Sequence, residues 1–272
     1  MGTLVCFHAH PDDEAISTGG SMARAAAEGH RVVLVVATDG RHGEVPEDLG
    51  EDDTLQLRRR RETDGSAAAL GVSRVEFLGY HDSGMTGWEA NDHVDSFWQA
   101  NLDEAAGRLA EILLQEQADV LTSYDWHGNY GHPDHVKVHR VANRTKQLVV
   151  DELLGLRVFE ATMNRDEMAR QIAMMRETGG DDLGSPEEPF DPNGPMDDGN
   201  PMGTPESELT MRVDVSGYVA QKRRAIAAHT SQVSDSSFFL QMPYEAFAIA
   251  FGTEWFIEHG VEPGLQPGWF FD

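Results

Sequence analysis

Leu4-Val5-Cys6-Phe7-His8-Ala9-His10-Pro11-Asp12-Asp13-Glu14 is the stretch that decides the architecture. Thr3 to His8 is short, continuous and apolar, the pattern of a strand buried on both faces of a parallel sheet. Pro11 marks a tight turn, and Ala15 to Gly29 reads as an Ala-rich helix with Gly29 as its C-cap. A strand, turn and helix in this order put His10, Asp12 and Asp13 at the carboxyl end of a strand. Open α/β sheets keep their sites there. One imidazole and two carboxylates this close together make half of a metal site.

The other half should lie far along the chain. Asp125-Trp126-His127-Gly128-Asn129-Tyr130-Gly131-His132-Pro133-Asp134-His135 has the same form. It follows the apolar run Val120 to Tyr124 and precedes a helical pattern, Val136 to Leu154. Two strand-to-helix turns thus carry a His-Pro-Asp element, and one cation shared between them explains both.

The rest of the chain alternates in the same way. Strands are expected at Arg31–Thr38, Val75–Gly79, Asp119–Tyr124, Arg157–Met163 and Leu209–Val215. Helices are expected at Thr54–Leu70 (stopped by Gly71), Asn101–Gln117, Glu167–Thr178 and Tyr218–His229. Phe238 to Phe256 is aromatic and should pack back on the core. The fold class is therefore α/β, a Rossmann-like, mostly parallel sheet with right-handed crossovers, flanked by helices. No Gly-x-Gly-x-x-Gly follows the first strand, so a dinucleotide is not implied. Residues 179–207 are rich in Gly, Pro, Asp and Glu and poor in aliphatics, which reads as a long, mobile acidic loop insertion; a lid over the site is the sharper alternative.

The 272 residues suit a single domain spanning 1–272. Asp plus Glu number 47 against 21 Lys plus Arg, a net charge of -26, which repels nucleic acid and anionic membranes. The lone cysteine, Cys6, lies in the first apolar run and reads as a buried, inert thiol in a reducing compartment. The site motif begins within ten residues of Met1, leaving no room for a signal peptide, and no apolar run approaches the ~20 residues needed to span a bilayer. The expectation is a soluble, cytoplasmic protein. A homo-oligomer is compatible with the sequence.

Ala9-His10-Pro11-Asp12-Asp13-Glu14 together with His132-Pro133-Asp134-His135 resembles the LmbE-like, or PIG-L, family of zinc-dependent de-N-acetylases, which includes deacetylases and conjugate amidases of mycothiol metabolism. The resemblance runs in order through about the first 160 residues, with an echo at Lys222 to Val233. It implies a hydrolase that removes an N-acetyl group from an N-acetylglucosamine-type sugar. The alternatives are an amidase acting on a larger N-acyl conjugate, and a non-catalytic metal- or sugar-binding protein on the same fold.

The expected ligands are His10, Asp13 and His135, leaving positions for water and substrate. Such N and O donors suit Zn²⁺, and Fe²⁺ or Co²⁺ fit the same geometry. His139, four residues after His135, could face the ion too; spacing leaves that open and the resemblance selects His135. A cation lowers the pKa of its water towards ~7, and Asp12, adjacent to the ligand Asp13, is then the general base. His132, as an imidazolium oriented by Asp134, would stabilise the oxyanion or protonate the leaving group. By the same resemblance Tyr130 reaches the scissile carbonyl, and Arg59, Asp82 and Glu44 hold the substrate. Ser17 stands where amidase relatives carry a lysine. By residue type alone, Asp12 or Asp134 is a helix N-cap. His8 is expected to be a packed core histidine, His127 to face solvent, and His229 to close the far wall of the pocket.

Overall fold

The computed structural model describes residues 1–50, 52–177 and 190–272. Thr3–His8 forms β1, buried at all six positions. It leads into α1 (Asp13–Ser17) and, after a break at Thr18, α2 (Gly19–Ala27). The expected single helix is therefore two. Thr18 leaves the helical range (φ -131°), and its hydroxyl is held by His8 Nε2 at 2.8 Å. Then come β2 (Arg31–Thr38), α3 (Leu55–Leu70), β3 (Arg74–Tyr80), α4 (Leu102–Glu116), β4 (Val120–Tyr124), α5 (Pro133–Leu148), β5 (Arg157–Thr162) and α6 (Arg165–Glu177). The chain closes with β6 (Met211–Asp214), α7 (Val219–Ala228), α8 (Phe238–Gln241), α9 (Tyr244–Phe251), β7 (Thr253–Glu258) and β8 (Gln266–Pro267). Among the described residues, no helix is long and apolar enough to cross a membrane.

Local chemistry accounts for the helix ends. The Thr54 hydroxyl accepts from the Leu57 amide at the start of α3, and Gly71 closes that helix in the left-handed conformation. Asn101 caps α4. The helix expected from Val136 begins earlier, at Pro133, because His132 Nδ1 accepts the Asp134 amide hydrogen and Pro133 fits the first helical position.

The sheet order is β3-β2-β1-β4-β5-β7-β6-β8. β1 to β5 pair in parallel, while β7 runs antiparallel to both β5 and β6. The α/β reading holds. β7 was not foreseen: it starts inside the aromatic stretch and runs past its end to Glu258, and only pairing to two neighbours shows Phe256 as a strand residue. Alternate residues of β1 feed two cores. Leu4 and Cys6 face the layer of α2 and α7, and Val5 and Phe7 face that of α4 and α5.

β1 lies between β2 and β4, so the chain leaves β1 in one direction and later returns on its other side. The crevice between the carboxyl ends of β1 and β4 is the topological switch point of the sheet, and both His-Pro-Asp turns leave it there.

Of the acidic stretch 179–207, residues 179–189 lie outside the described residues. Further on, the Asp197 amide donates to the Tyr130 carbonyl (3.2 Å), the Gly203 amide to the Asn129 carbonyl (2.7 Å) and the Thr204 amide to the Met163 carbonyl (2.9 Å). Residues 196–204 are thereby fastened to the second turn, a connection that composition did not indicate.

His139 turns away from the crevice. Its Nδ1 lies 3.1 Å from Glu160, which also takes a 2.6 Å contact from His259 Nε2. Burial pushes the Glu160 carboxyl up, but the two histidines outweigh it and bring it down to about 2, while Glu160 in turn raises His139 against the effect of burial. Glu160 thus contributes stability above its unfolded pKa that is lost as the pH falls towards 2. His139 contributes stability below its unfolded pKa that is lost as the pH rises through its folded value. Glu160→Gln should therefore cost about 1–3 kcal/mol in urea unfolding between roughly pH 5 and 6, with the gap to the parent narrowing on either side.

Candidate active site

The first turn is held in an uncommon conformation. Asp12 has φ 111°, a region costly for a residue with a Cβ. Its amide donates to Glu14 Oε2 (3.0 Å), and Arg59 Nη2 donates to the Pro11 carbonyl (2.5 Å) and to Asp12 Oδ2 (3.0 Å). Arg59 Nη1 is anchored on the Gly40 carbonyl (2.6 Å). A Cβ at Gly40 would stand 2.5 Å from that nitrogen, so only glycine lets the guanidinium in. Asp12 occupies the N-cap position of α1 yet makes no side-chain capping bond. Its carboxylate is left to Arg59 and the crevice. Glu14, fully buried, also accepts from Ser66 Oγ and from His229 Nε2 (2.7 Å).

The second turn is built around Asp125, whose Oδ1 accepts the amides of His127 (3.2 Å) and Asn129 (2.9 Å). Gly128 passes so close to α5 that a Cβ there would meet the His135 Cβ at 2.3 Å. His127 does not face solvent as expected. It is 1% exposed, its Nε2 is 3.2 Å from the Gly203 carbonyl oxygen, and the segment fastened over the turn covers it.

Between the turns, Asp13 Oδ2 stands 3.3 Å from His10 Nδ1 and 3.3 Å from His135 Nε2. The other nitrogen of His10, Nε2, faces Asp134 Oδ2 at 3.2 Å and Asp82 Oδ1 at 3.5 Å. His10 Nδ1, Asp13 and His135 Nε2 could hold a divalent ion, with carboxylates orienting His10 from behind. The donor atoms that gather within 4.8 Å of one another are those of His10, His132 and His135, and those of His10, Asp82, His132 and Asp134; Asp13 belongs to neither set and touches the first from one side. Ring stacking on Tyr124 (4.5 Å, 11°) steadies His135, whose buried Nδ1 has no hydrogen-bond partner among the described residues. Tyr130 Oη reaches His135 Nε2 at 3.3 Å.

The electrostatics also favour a cation. Burial works against charge on His10, but Asp82, Asp13 and Asp134 outweigh it and raise its pKa well above the usual value. A proton there stands where anionic donors are in excess. Burial opposes ionisation of Asp13, but His135 and His10 hold its carboxyl well below the usual range. Asp12 is pushed up to about 6 by burial and the adjacent Asp13, against the pull of Arg59. Burial and the charges of His10 and His135 push His132 down to about 2. With Nδ1 accepting the Asp134 amide, the ring proton of His132 sits on Nε2, which faces the crevice side of the cluster as a donor.

Asp134, expected beside His132, instead directs its carboxylate to His10 and to the Ser83 amide (2.8 Å) and hydroxyl. Asp82 accepts the His42 amide (3.1 Å) and the Gly84 amide (2.8 Å) at the crevice edge. Glu44 is exposed and tied by its backbone to Gln232. His8 is a core residue, as expected, with Tyr124 Oη and Thr18 Oγ1 each at 2.8 Å and its pKa lowered to about 4 by burial. His229 is wholly buried on Glu14. Glu14, Ser66 and Ser83 escaped the sequence reading. Its place as the third of three consecutive acids, the one that leads into Ala15 and Ile16, was the available signal for Glu14.

A buried set of imidazoles and carboxylates at the switch point of a parallel sheet is the layout of a hydrolytic enzyme that works with a divalent ion. Residues 5–146 match the family described as PIG-L, GlcNAc-PI de-N-acetylase. A protein of Thermomonospora curvata named 1D-myo-inositol 2-acetamido-2-deoxy-alpha-D-glucopyranoside deacetylase is 38% identical, over 97% of this chain and 96% of its own length. A protein of the same name from Nocardiopsis dassonvillei is 39% identical over 84% and 83%. The solved N,N'-diacetylchitobiose deacetylase of Pyrococcus horikoshii superposes with a TM-score of 0.60 at 21% identity, over 94% of this chain and 83% of that one. The chain belongs to the PIG-L family and is an amide-hydrolysing enzyme.

Glu14→Ala would strand a buried imidazole and free the strained turn. It should cost about 3–5 kcal/mol in urea unfolding, the scale of breaking a buried pair from one side, whereas Ser66→Ala should cost about 1 kcal/mol or less.

Proposed function

We propose that this enzyme hydrolyses the acetamide of a 2-acetamido sugar, releasing acetate and the free amine, on a glycoside of the kind named for its relatives. The observation that carries the reading is Asp13 Oδ2 midway between imidazoles of two different turns, with a second carboxylate, Asp12, beside it and not needed as a ligand. His10, Asp13 and His135 hold the ion; zinc suits these donors best, and iron(II) or cobalt(II) fit them too. The ion supplies Lewis acidity towards water and the amide oxygen.

The side chains do the rest. Asp12 takes a proton from the attacking water and returns it to the nitrogen as the C–N bond breaks; a pKa of about 6 suits both transfers near neutrality. His132 Nε2–H, with Tyr130 Oη, donates to the oxygen that becomes negative in the tetrahedral intermediate. Asp134 orients His10. Arg59, with two bonds to the first turn and a third to the Gly40 carbonyl, aims Asp12 and presents its edge to the substrate. Asp82 and Glu44 accept sugar hydroxyls. The substrate is a small neutral sugar or conjugate, since the chain's net charge of -26 disfavours anions, nucleic acid and acidic lipid surfaces.

A second reading, an amidase acting on a larger N-acyl conjugate, is favoured by one observation. A cavity of about 420 Å³ lined by Ile16, Ser17, Asn129, Met163, Phe239 and Trp255 begins one turn beyond Asp12 and Asp13. Acetate release from 2-acetamido sugars, set against a panel of longer N-acyl amines, separates the two.

Asp12→Ala should keep its bound metal and lose about 10²–10⁴-fold in turnover, the usual range for a general base. Unchanged turnover would reject Asp12 in that role. His135→Ala should lose metal affinity in equilibrium dialysis; retention of a full equivalent would remove His135 from the ligand set.

A further inference from the structure

A second group of donors lies outside the buried cluster. His81, His93 and Asp95 bring one nitrogen from each ring and one carboxylate oxygen within 4.8 Å of one another. The backbone sets this spacing. The His81 amide donates to the Asp95 carbonyl (3.1 Å), the Phe97 amide to the His81 carbonyl (2.9 Å) and the Ser96 amide to the His93 carbonyl (3.0 Å). His81 and Ser96 pair as a β-bridge, so the end of β3 and the segment carrying His93 and Asp95 are pinned side by side. The two rings lie 5.4 Å apart.

His93 Nδ1 accepts the Asp95 amide hydrogen at 3.2 Å, so the one lone pair of that ring faces Asp95, whose Oδ2 is 4.0 Å away, and an ion bound there takes the place of that single hydrogen bond. Bonds from zinc to imidazole nitrogen and carboxylate oxygen are ~2.0–2.2 Å, which puts neighbouring donors of a tetrahedron roughly 3.3 Å apart. The side chains must close by about 1 Å, and the exposed His93 and Asp95 are free to do so. The location favours a cation as well. His81 and His93 line a cavity of about 790 Å³ whose wall carries three acids, Asp82, Glu89 and Asp92, against one permanent cation, Arg41, and Asp82 stands 3.5 Å from His10 Nε2.

We propose that His81, His93 and Asp95 form a second, weaker site for a borderline divalent ion such as Zn²⁺, Ni²⁺ or Cu²⁺, on the rim of the cavity that has Asp82 in its wall. An ion there, with its remaining water ligands, narrows that cavity, so surplus metal slows turnover. The binding is independent of the reaction proposed above; the slowing rests on it.

The test begins with the enzyme carrying one equivalent of zinc, dialysed at pH 7.5 against surplus Zn²⁺ and analysed for metal. The parent should take up a second equivalent, and His93→Ala and Asp95→Asn should not. A parent that stops at one equivalent, or variants that still take two, overturns the site. Surplus zinc should then slow acetate release by the parent several-fold more than by His93→Ala; equal slowing overturns the gating. If no acetamide is cleaved at all, the proposed reaction fails while the metal count still decides the site.

Discussion

One carboxylate oxygen, Asp13 Oδ2, stands 3.3 Å from imidazoles delivered by two turns that are far apart in sequence. That closeness is what the rest of the structure has to provide. β1 and β4 are neighbours in the sheet, so their carboxyl ends open onto one crevice. The turn after β1 must bend back sharply, and the turn after β4 must run tight against α5. Both conditions are met by unusual backbone: a left-handed Asp12, and a Gly128 where no Cβ fits. The hydrophobic layers on either side of β1 keep the platform rigid, which a site tuned to tenths of an ångström requires.

Three consecutive acids, Asp12, Asp13 and Glu14, would repel one another if buried together without cations. The turn fans them out to separate partners. Asp12 goes to Arg59, Asp13 to His10 and His135, and Glu14 to His229. Their environments then diverge. Asp12, where Arg59 and His229 do not offset burial and the like charges of Asp13 and Glu14, is pushed up, while Asp13 and Glu14 are held below their ordinary range. Adjacent residues of the same type are thereby prepared for different tasks, a separation that only the surrounding side chains can create.

Much of this was legible in the sequence. The apolar runs before each His-Pro-Asp element gave β1 and β4, and the alternation of strand and helix gave the parallel sheet. What stayed hidden depended on distant partners. Thr18 breaks a helix in the company of His8, and nothing in an Ala-rich run announces that. His127 reads as a polar loop residue, but a segment some 70 residues later closes over it, the Gly203 carbonyl lying 76 positions on. Asp134 lies beside His132 in sequence, yet the start of α5 turns its carboxylate to His10. β7 hides in an aromatic stretch because an antiparallel edge needs its neighbours before its alternation means anything. Pattern reading found the elements; side-chain allegiances across the crevice came only with coordinates.

The bond between Glu14 and His229 joins positions 215 residues apart. During synthesis the first strand emerges almost at once, but the acid behind its turn has no imidazole to lean on until the seventh helix has left the ribosome and docked. Any form of the chain lacking that segment would carry the first His-Pro-Asp turn without one of the bonds that hold it.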